Sequence, residues 1–328
     1  MITPEEAARI AALAAAEWQA DAGTLRLISI RENAVFRAEA ADGRAIALRL
    51  HRPGYQSRAG IETELRWTLG LAEQGLAVPH PVPARDGGLT WVAGPVTVSA
   101  VGWLDGAPIG RAGQPLAGDR AAQVRLYRQI GGLLAAMHRA TDRLALPDDL
   151  PRPRWDSEGL LGEAPVWGRF WENPGFTADD LPLVDGLRRL ARARLADIGP
   201  VAPAFGLIHA DVMRENILAA PDGTLRLIDF DDSGYGYRMY DLGTTLVQSL
   251  EEPNLPQMAE ALLEGYQTAG GDAGKGLSDL ILFTLLRCLA STGWIATRAA
   301  PDDPRQALYI DRVRRLARPL LSGTVGWG

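Results

Sequence analysis

Apolar positions are distributed in two different ways along the chain. From residue 24 to 106 they fall in short runs broken by turn residues. Leu25–Ile30, Val35–Ala40 and Ala45–Leu50 read as three strands, the last two joined by an Asp42-Gly43 hairpin turn. Ile61 to Gln74 reads as a helix that stops at Gly75. Leu89–Val92 and Val96–Val101 read as two more strands around a Gly94-Pro95 turn. Beyond residue 106 the spacing becomes helical. Val124, Ile130, Leu134 and Met137 mark a core helix over 120–139, and further helices are expected near 255–269, 277–298 and 305–318. An Ala-rich N-terminal helix should start at Thr3-Pro4-Glu5-Glu6, with a cap residue, a first-turn proline and acids at the positive dipole end.

One stretch inside the helical part breaks this rhythm. Apolar residues lead into His209 and Asp211, Ile217-Leu218 reads as a short strand, Pro221-Asp222-Gly223 as a turn, and Leu225–Ile228 as the returning strand. Such a hairpin would bring Asn216 and Asp229 together, with Asp211 on the loop that enters it. An amide oxygen and a carboxylate are hard ligands suited to Mg²⁺, which is usually completed by waters and substrate phosphates. A third carboxylate that is not bound to the metal can receive a proton from an attacking hydroxyl.

His-x-Asp, four residues, Asn, and then Asp-Phe is the kinase pattern. The stretch resembles the aminoglycoside phosphotransferase-like kinases. Arg154-Trp155-Asp156 with Trp167-Gly168 is similar, more loosely, to the homoserine kinase type II and stress-response kinase branch. The resemblance implies an α+β, two-lobed protein-kinase-like fold. Its N-lobe, 1–104, would be an antiparallel sheet with a helix that binds nucleotide. Its C-lobe, 105–328, would be mainly helical, catalytic and acceptor-binding. It further implies ATP and Mg²⁺ as cofactors, with Asp211 as catalytic base, His209 bracing its loop, and Asn216 and Asp229 as metal ligands. Arg49 stands where the family's third strand carries a lysine for the ATP phosphates, and Glu64 is its expected partner from the following helix. Glu62 is the alternative to Glu64, and Arg49 could instead be a cap on a surface strand. Gly102 and Trp103, with Leu104, would form the adenine-binding hinge. The phosphate loop departs from the pattern: Arg31 to Phe36 contains no glycine, so Asn33 marks its location. Asp241 is expected to brace the catalytic loop, and His138 to be structural or, less simply, a ligand.

Composition narrows the choice. The chain has 328 residues, 47% of them hydrophobic, and a formal net charge of −6. That core is ample for two lobes, and the mild acidity argues against non-specific nucleic-acid binding. The run 277–295 is apolar but carries Asp279 and Arg287, which suits a buried core helix better than a membrane span. Cys288 is the only cysteine, so no intrachain disulfide forms. With an N-terminus lacking the basic start of a signal peptide, a cytoplasmic location is expected.

The acceptor is expected to be a small hydroxyl-bearing molecule. Protein kinases carry a lysine two residues after the catalytic aspartate, where this chain has Met213, and no long activation segment follows Asp229. Gly234 and Gly236 read as a flexible loop. Asp211, Asp229, Asp231 and Asp232, with no lysine near them, would favour an amine: an amino alcohol, a hydroxy amino acid or an aminoglycoside. The alternatives are a stress-response protein Ser/Thr kinase and a nucleotide-binding pseudokinase.

Overall fold

In a computed structural model of the chain, which describes every residue except Met1, Ala145, Asp148 and Pro301, the contacts divide into two compact units. The first comprises Met1–Gly106, Leu144–Arg152 and Ala220–Asp231, and the second Ala107–Arg143, Pro153–Ala219 and Asp232–Gly328. A single cut near residue 104 therefore does not separate them, because two later segments pack with the first.

The first unit starts with helix α1 (Pro4–Ala15), whose Thr3 side chain accepts the Glu6 N–H as an N-cap. Strands β1 (Ala20–Ile30), β2 (Ala34–Ala40) and β3 (Ala45–Leu50) follow, then helix α2 (Arg58–Glu73), then β4 (Thr90–Ala93) and β5 (Val96–Gly102). These strands form an antiparallel sheet in the order β1-β2-β3-β5-β4. The period of two along β3 sends alternate side chains to opposite faces. Ile46, Leu48 and Leu50 enter the core with Ile10, Ala11, Ala14, Val98 and Ala100. Ala47 lies on the other face with Ile61 and Leu65 of α2, and Arg49 shares that parity. Buried positions on α2 recur as Ile61, Glu64, Leu65 and Thr68, which sets Glu64 on the face turned to the sheet.

In the second unit, β6 (Ala107–Pro108) pairs antiparallel with β9 (Ile217–Ala219). Helix α3 (Arg120–Asp142) packs along α7 (Leu255–Thr268). Strand β7 (Arg154–Trp155), short helix α4 (Ser157–Leu161) and helix α5 (Leu181–Ile198) lead to β8 (Phe205–Ile208). Strand β10 (Leu225–Leu227) belongs to the first unit. The chain then forms β11 (Gly234–Tyr237), which pairs parallel with β7 and antiparallel with β8. Gly234 and Gly236, expected to be a flexible loop, are strand residues chosen for closeness. A Cβ at Gly234 would lie 2.2 Å from the Pro153 carbonyl oxygen, and one at Gly236 2.5 Å from Ile208 Cδ1. Helix α6 (Arg238–Val247) and helix α9 (Arg305–Leu321) pack on α8 (Leu277–Arg298). Nearly every residue of α8 from Asp279 to Ile295 is buried, so its apolar length belongs to a protein core.

Candidate active site

The chemistry expected of the catalytic loop depends on how its backbone is held. β8 ends at Ile208, and His209 and Ala210 then turn inward, Ala210 with a positive φ of 65°. That conformation is costly for a residue with a side chain and needs support from outside the loop. Asp241 on α6 gives it: Oδ2 accepts the His209 N–H at 3.0 Å and Oδ1 the Ala210 N–H at 2.7 Å. Asp241 is held in turn by His138, whose Nε2 lies 2.9 Å from Oδ2 while its Nδ1 lies 2.9 Å from the Tyr266 hydroxyl. Burial pushes the pKa of His138 down, against the opposing pull of Asp241. A neutral ring that donates from Nε2 and accepts at Nδ1 satisfies every partner. His138 is structural.

His209 is fully buried, and its Nδ1 accepts the Asp211 N–H at 3.3 Å, so it braces the loop from within. The Asp211 side chain is held on both sides. Asn216 Nδ2 donates to its Oδ2 at 3.0 Å and to its backbone oxygen at 2.9 Å. Arg287 Nη2 donates to Oδ1 at 2.8 Å. The expected surplus of unpaired acid is therefore corrected: the cation beside Asp211 is an arginine 76 residues away, on α8. Burial works against the charge of Arg287, but Tyr240 and Asp211 outweigh it, and its pKa is raised. Trp167 covers it, lying across the guanidinium at 4.4 Å and packing edge-on to Trp155.

Arg49, Glu64 and Asp229 lie in the first unit. Arg49 is no surface cap. It is buried and its Nη1 donates to Glu64 Oε1 at 2.5 Å, while its Nη2 is 3.5 Å from Asp231 Oδ1. Glu62 is engaged elsewhere, by Arg58 and Thr90. Burial opposes the Arg49 charge, but Glu64, Asp231 and Asp229 more than offset it and raise its pKa. Asp231, expected to be an unpaired acid, is likewise compensated. Burial resists its ionisation, yet His51 and Arg49 hold its pKa down to about 2. Asp229 adopts a positive φ of 66°, a strained conformation for a non-glycine residue, two residues beyond the end of β10.

The remaining expected residues are structurally engaged. Asn33 Oδ1 accepts the Arg52 N–H at 3.1 Å and its backbone oxygen accepts the Arg31 N–H, so it closes the β1–β2 turn. In the expected hinge, the Gly102 N–H donates to His80 O at 2.7 Å and the Trp103 N–H to Ala45 O at 3.0 Å. Asp232 accepts the Trp155 indole N–H on its backbone oxygen.

Whether these residues suit a divalent ion can be judged from their donors. Both hydrogens of the Asn216 amide are directed at Asp211, which leaves its oxygen as a hard ligand. Among the described residues no cluster of three His, Cys, Asp or Glu stands ready for a metal. An amide oxygen is a ligand type that Mg²⁺ accepts beside carboxylates, waters and phosphates.

A family model described as the phosphotransferase enzyme family matches residues 24–277. The chain belongs to that family. Its kinase-like fold recurs in the microcompartment-associated aminopropanol kinase, with a TM-score of 0.81, 27% identity, and coverage of 98% of this chain and 99% of that one. It also recurs in an amicoumacin kinase solved with AMP-PNP and Ca²⁺, with a TM-score of 0.74, 18% identity, and coverage of 97% and 93%. The homoserine kinase of Sinorhizobium fredii is 29% identical over 224 residues, which span 65% of this chain and 62% of that enzyme. This family member is a phosphotransferase for a small-molecule hydroxyl.

Proposed function

We propose that the chain transfers the γ-phosphoryl group of ATP to the hydroxyl of a small amine-bearing acceptor in the cytoplasm. The observation that carries this reading is the Asp211 carboxylate. It is fixed through one oxygen by Arg287 and through the other by Asn216, on a loop held by Asp241. The acceptor oxygen attacks the γ-phosphorus, the bond to the β–γ bridging oxygen breaks, and ADP leaves. The hydroxyl proton passes to Asp211, late in a loose transition state that needs orientation more than base strength. Residues 1–104 are the nucleotide side of this reading. Arg49, set by Glu64, positions the phosphates, and adenine meets Gly102–Leu104 through groups other than the two engaged N–H. Asn33 shapes the turn at the phosphates. Residues 105–328 are the acceptor side. Mg²⁺, when bound, would neutralise phosphate charge, with Asn216 and Asp229 as its protein ligands.

The preference for an amine rests on the aminopropanol kinase and homoserine kinase relatives, since Asp211 and Asp231 each lie beside an arginine. A screen of ADP release over amino alcohols, hydroxy amino acids, aminoglycosides and a generic protein substrate tests the reading. Turnover with a small amine-bearing alcohol is expected. Turnover on protein alone would favour the protein Ser/Thr kinase reading, and tight ATP binding without turnover a pseudokinase.

A further inference from the structure

A kinase loop of the His-x-Asp type has a cation beside its aspartate in protein kinases, and here that position is Met213. The second unit fills the same place from another element. Arg287 Nη2 lies 2.8 Å from Asp211 Oδ1 and 3.8 Å from Met213 Sδ. We propose that Arg287 is a positioning residue for the transfer: it supplies, from α8, the charge that holds Asp211, while the loop's own cation, Arg214, is turned to Glu252. The inference rests on the phosphotransferase reading of Asp211.

A buried arginine could be no more than a packing element, but three features point further. First, the residues that flank Arg287 on α8 are apolar (Leu285, Leu286, Cys288, Leu289 and Ala290), and a leucine or methionine would fill this position without the cost of burying a charge. Second, the fork is committed. Nη1 donates to Ser291 Oγ at 2.7 Å, one turn along the helix, and Trp167 covers the guanidinium plane at 4.4 Å. Nε is buried with no hydrogen-bond partner, so the packing keeps the fork on Asp211 even at the expense of an orphaned donor. Third, exposure is graded. The Arg287 side chain is 6% exposed and that of Asp211 22%, so the cation supports the carboxylate from the protein side. Each Asp211 oxygen then has one donor from the protein and lone-pair capacity left for an acceptor hydroxyl.

The test compares Arg287→Met, which keeps bulk without charge, with Arg287→Lys, which keeps charge. With the best acceptor from the screen, Arg287→Met should lower kcat by about 10²-fold, the scale of a misplaced reacting group. Its KM for Mg²⁺-ATP should stay within about 2-fold, since no nucleotide contact changes, and the protein should remain folded. Arg287→Lys should recover most of the loss. Wild-type kcat in Arg287→Met, or equal losses in both variants, would overturn the proposal. If Arg287→Met does not fold, Arg287→Gln replaces it. If the wild type phosphorylates no acceptor, the phosphotransferase reading is what fails, and a crystal structure of Arg287→Met still decides this inference. A displaced or disordered Asp211 side chain supports it, and an unchanged one overturns it.

Discussion

Arg49 is gripped by two carboxylates of unequal reach, and that inequality can be measured. Glu64→Gln removes the negative charge at 2.5 Å and leaves that of Asp231 at 3.5 Å. Breaking a buried ion pair by removing one member costs about 3–5 kcal/mol. Attraction falls only as the inverse of distance, so Asp231 retains roughly 70% of the Coulomb interaction that Glu64 had. The cost should therefore lie at the low end, about 3 kcal/mol. Asp231→Asn leaves the closer pair intact and should cost less, about 1–2 kcal/mol. The double variant strips the arginine of both neighbours and should exceed the sum by about 1 kcal/mol, as expected of groups that share a partner. Denaturant titration followed by circular dichroism and fluorescence would give the cycle, with coincidence of the two probes as the check on two-state behaviour. ATP affinity should also drop in Glu64→Gln, because Arg49 is free to swing towards Asp231. Additive losses, or a Glu64→Gln protein as stable as wild type, would refute the idea of a shared grip.

Four further outcomes are expected. Asp211→Asn should lose roughly 10²–10⁴ in turnover with Mg²⁺-ATP affinity near wild type. Asp229→Asn should shift Mg²⁺ dependence upward and be partly rescued by more Mg²⁺, so an identical response of the two variants in calorimetric titration would sink the separation of roles. Asp241→Leu removes the acceptor of two loop N–H groups and of His138, leaving buried donors unpaired at about 1–3 kcal/mol each. It should lower both stability and turnover, and a stable, active variant in unfolding and ADP-release assays would contradict the bracing role. The Cys288 thiol is buried and its pKa is pushed up to about 12, so a disulfide reagent at pH 8 should label it only on unfolding. Rapid labelling of native protein would show that α8 opens.

Much of this was legible in the sequence, for stated reasons. The strand and helix periods of the first unit located β3 and α2 closely, and the family resemblance then suggested Glu64 as the partner of Arg49, to which it is hydrogen-bonded. The spacing from His209 to Asp229 singled out the loop, and the family resemblance supplied the brace expected of Asp241, which accepts two of its backbone N–H groups. What escaped was whatever depended on approach between distant segments. β11 was hidden because its glycines signal flexibility locally and closeness only once Pro153 and Ile208 are in place. α5 went unread because it starts at a Leu-Pro pair inside a proline-rich, aromatic stretch. Arg287 left one trace, a charge inside an apolar helix, which told of burial but not of its partner.

The interleaving of the two units bears on how the protein is made. Asp231, which grips Arg49, leaves the ribosome long after the sheet that carries Arg49 is complete. At elongation speeds of about 5–20 residues per second, the interval from the end of β5 to Asp231 is roughly 6–26 s. Throughout it, the nascent first unit holds an arginine partnered by Glu64 and not yet by Asp231; the segment 144–152 joins it part-way, and 220–231 only at the end. A chain released at residue 106 is stranded at that stage for good, so this unit matures only when synthesis is more than two-thirds done.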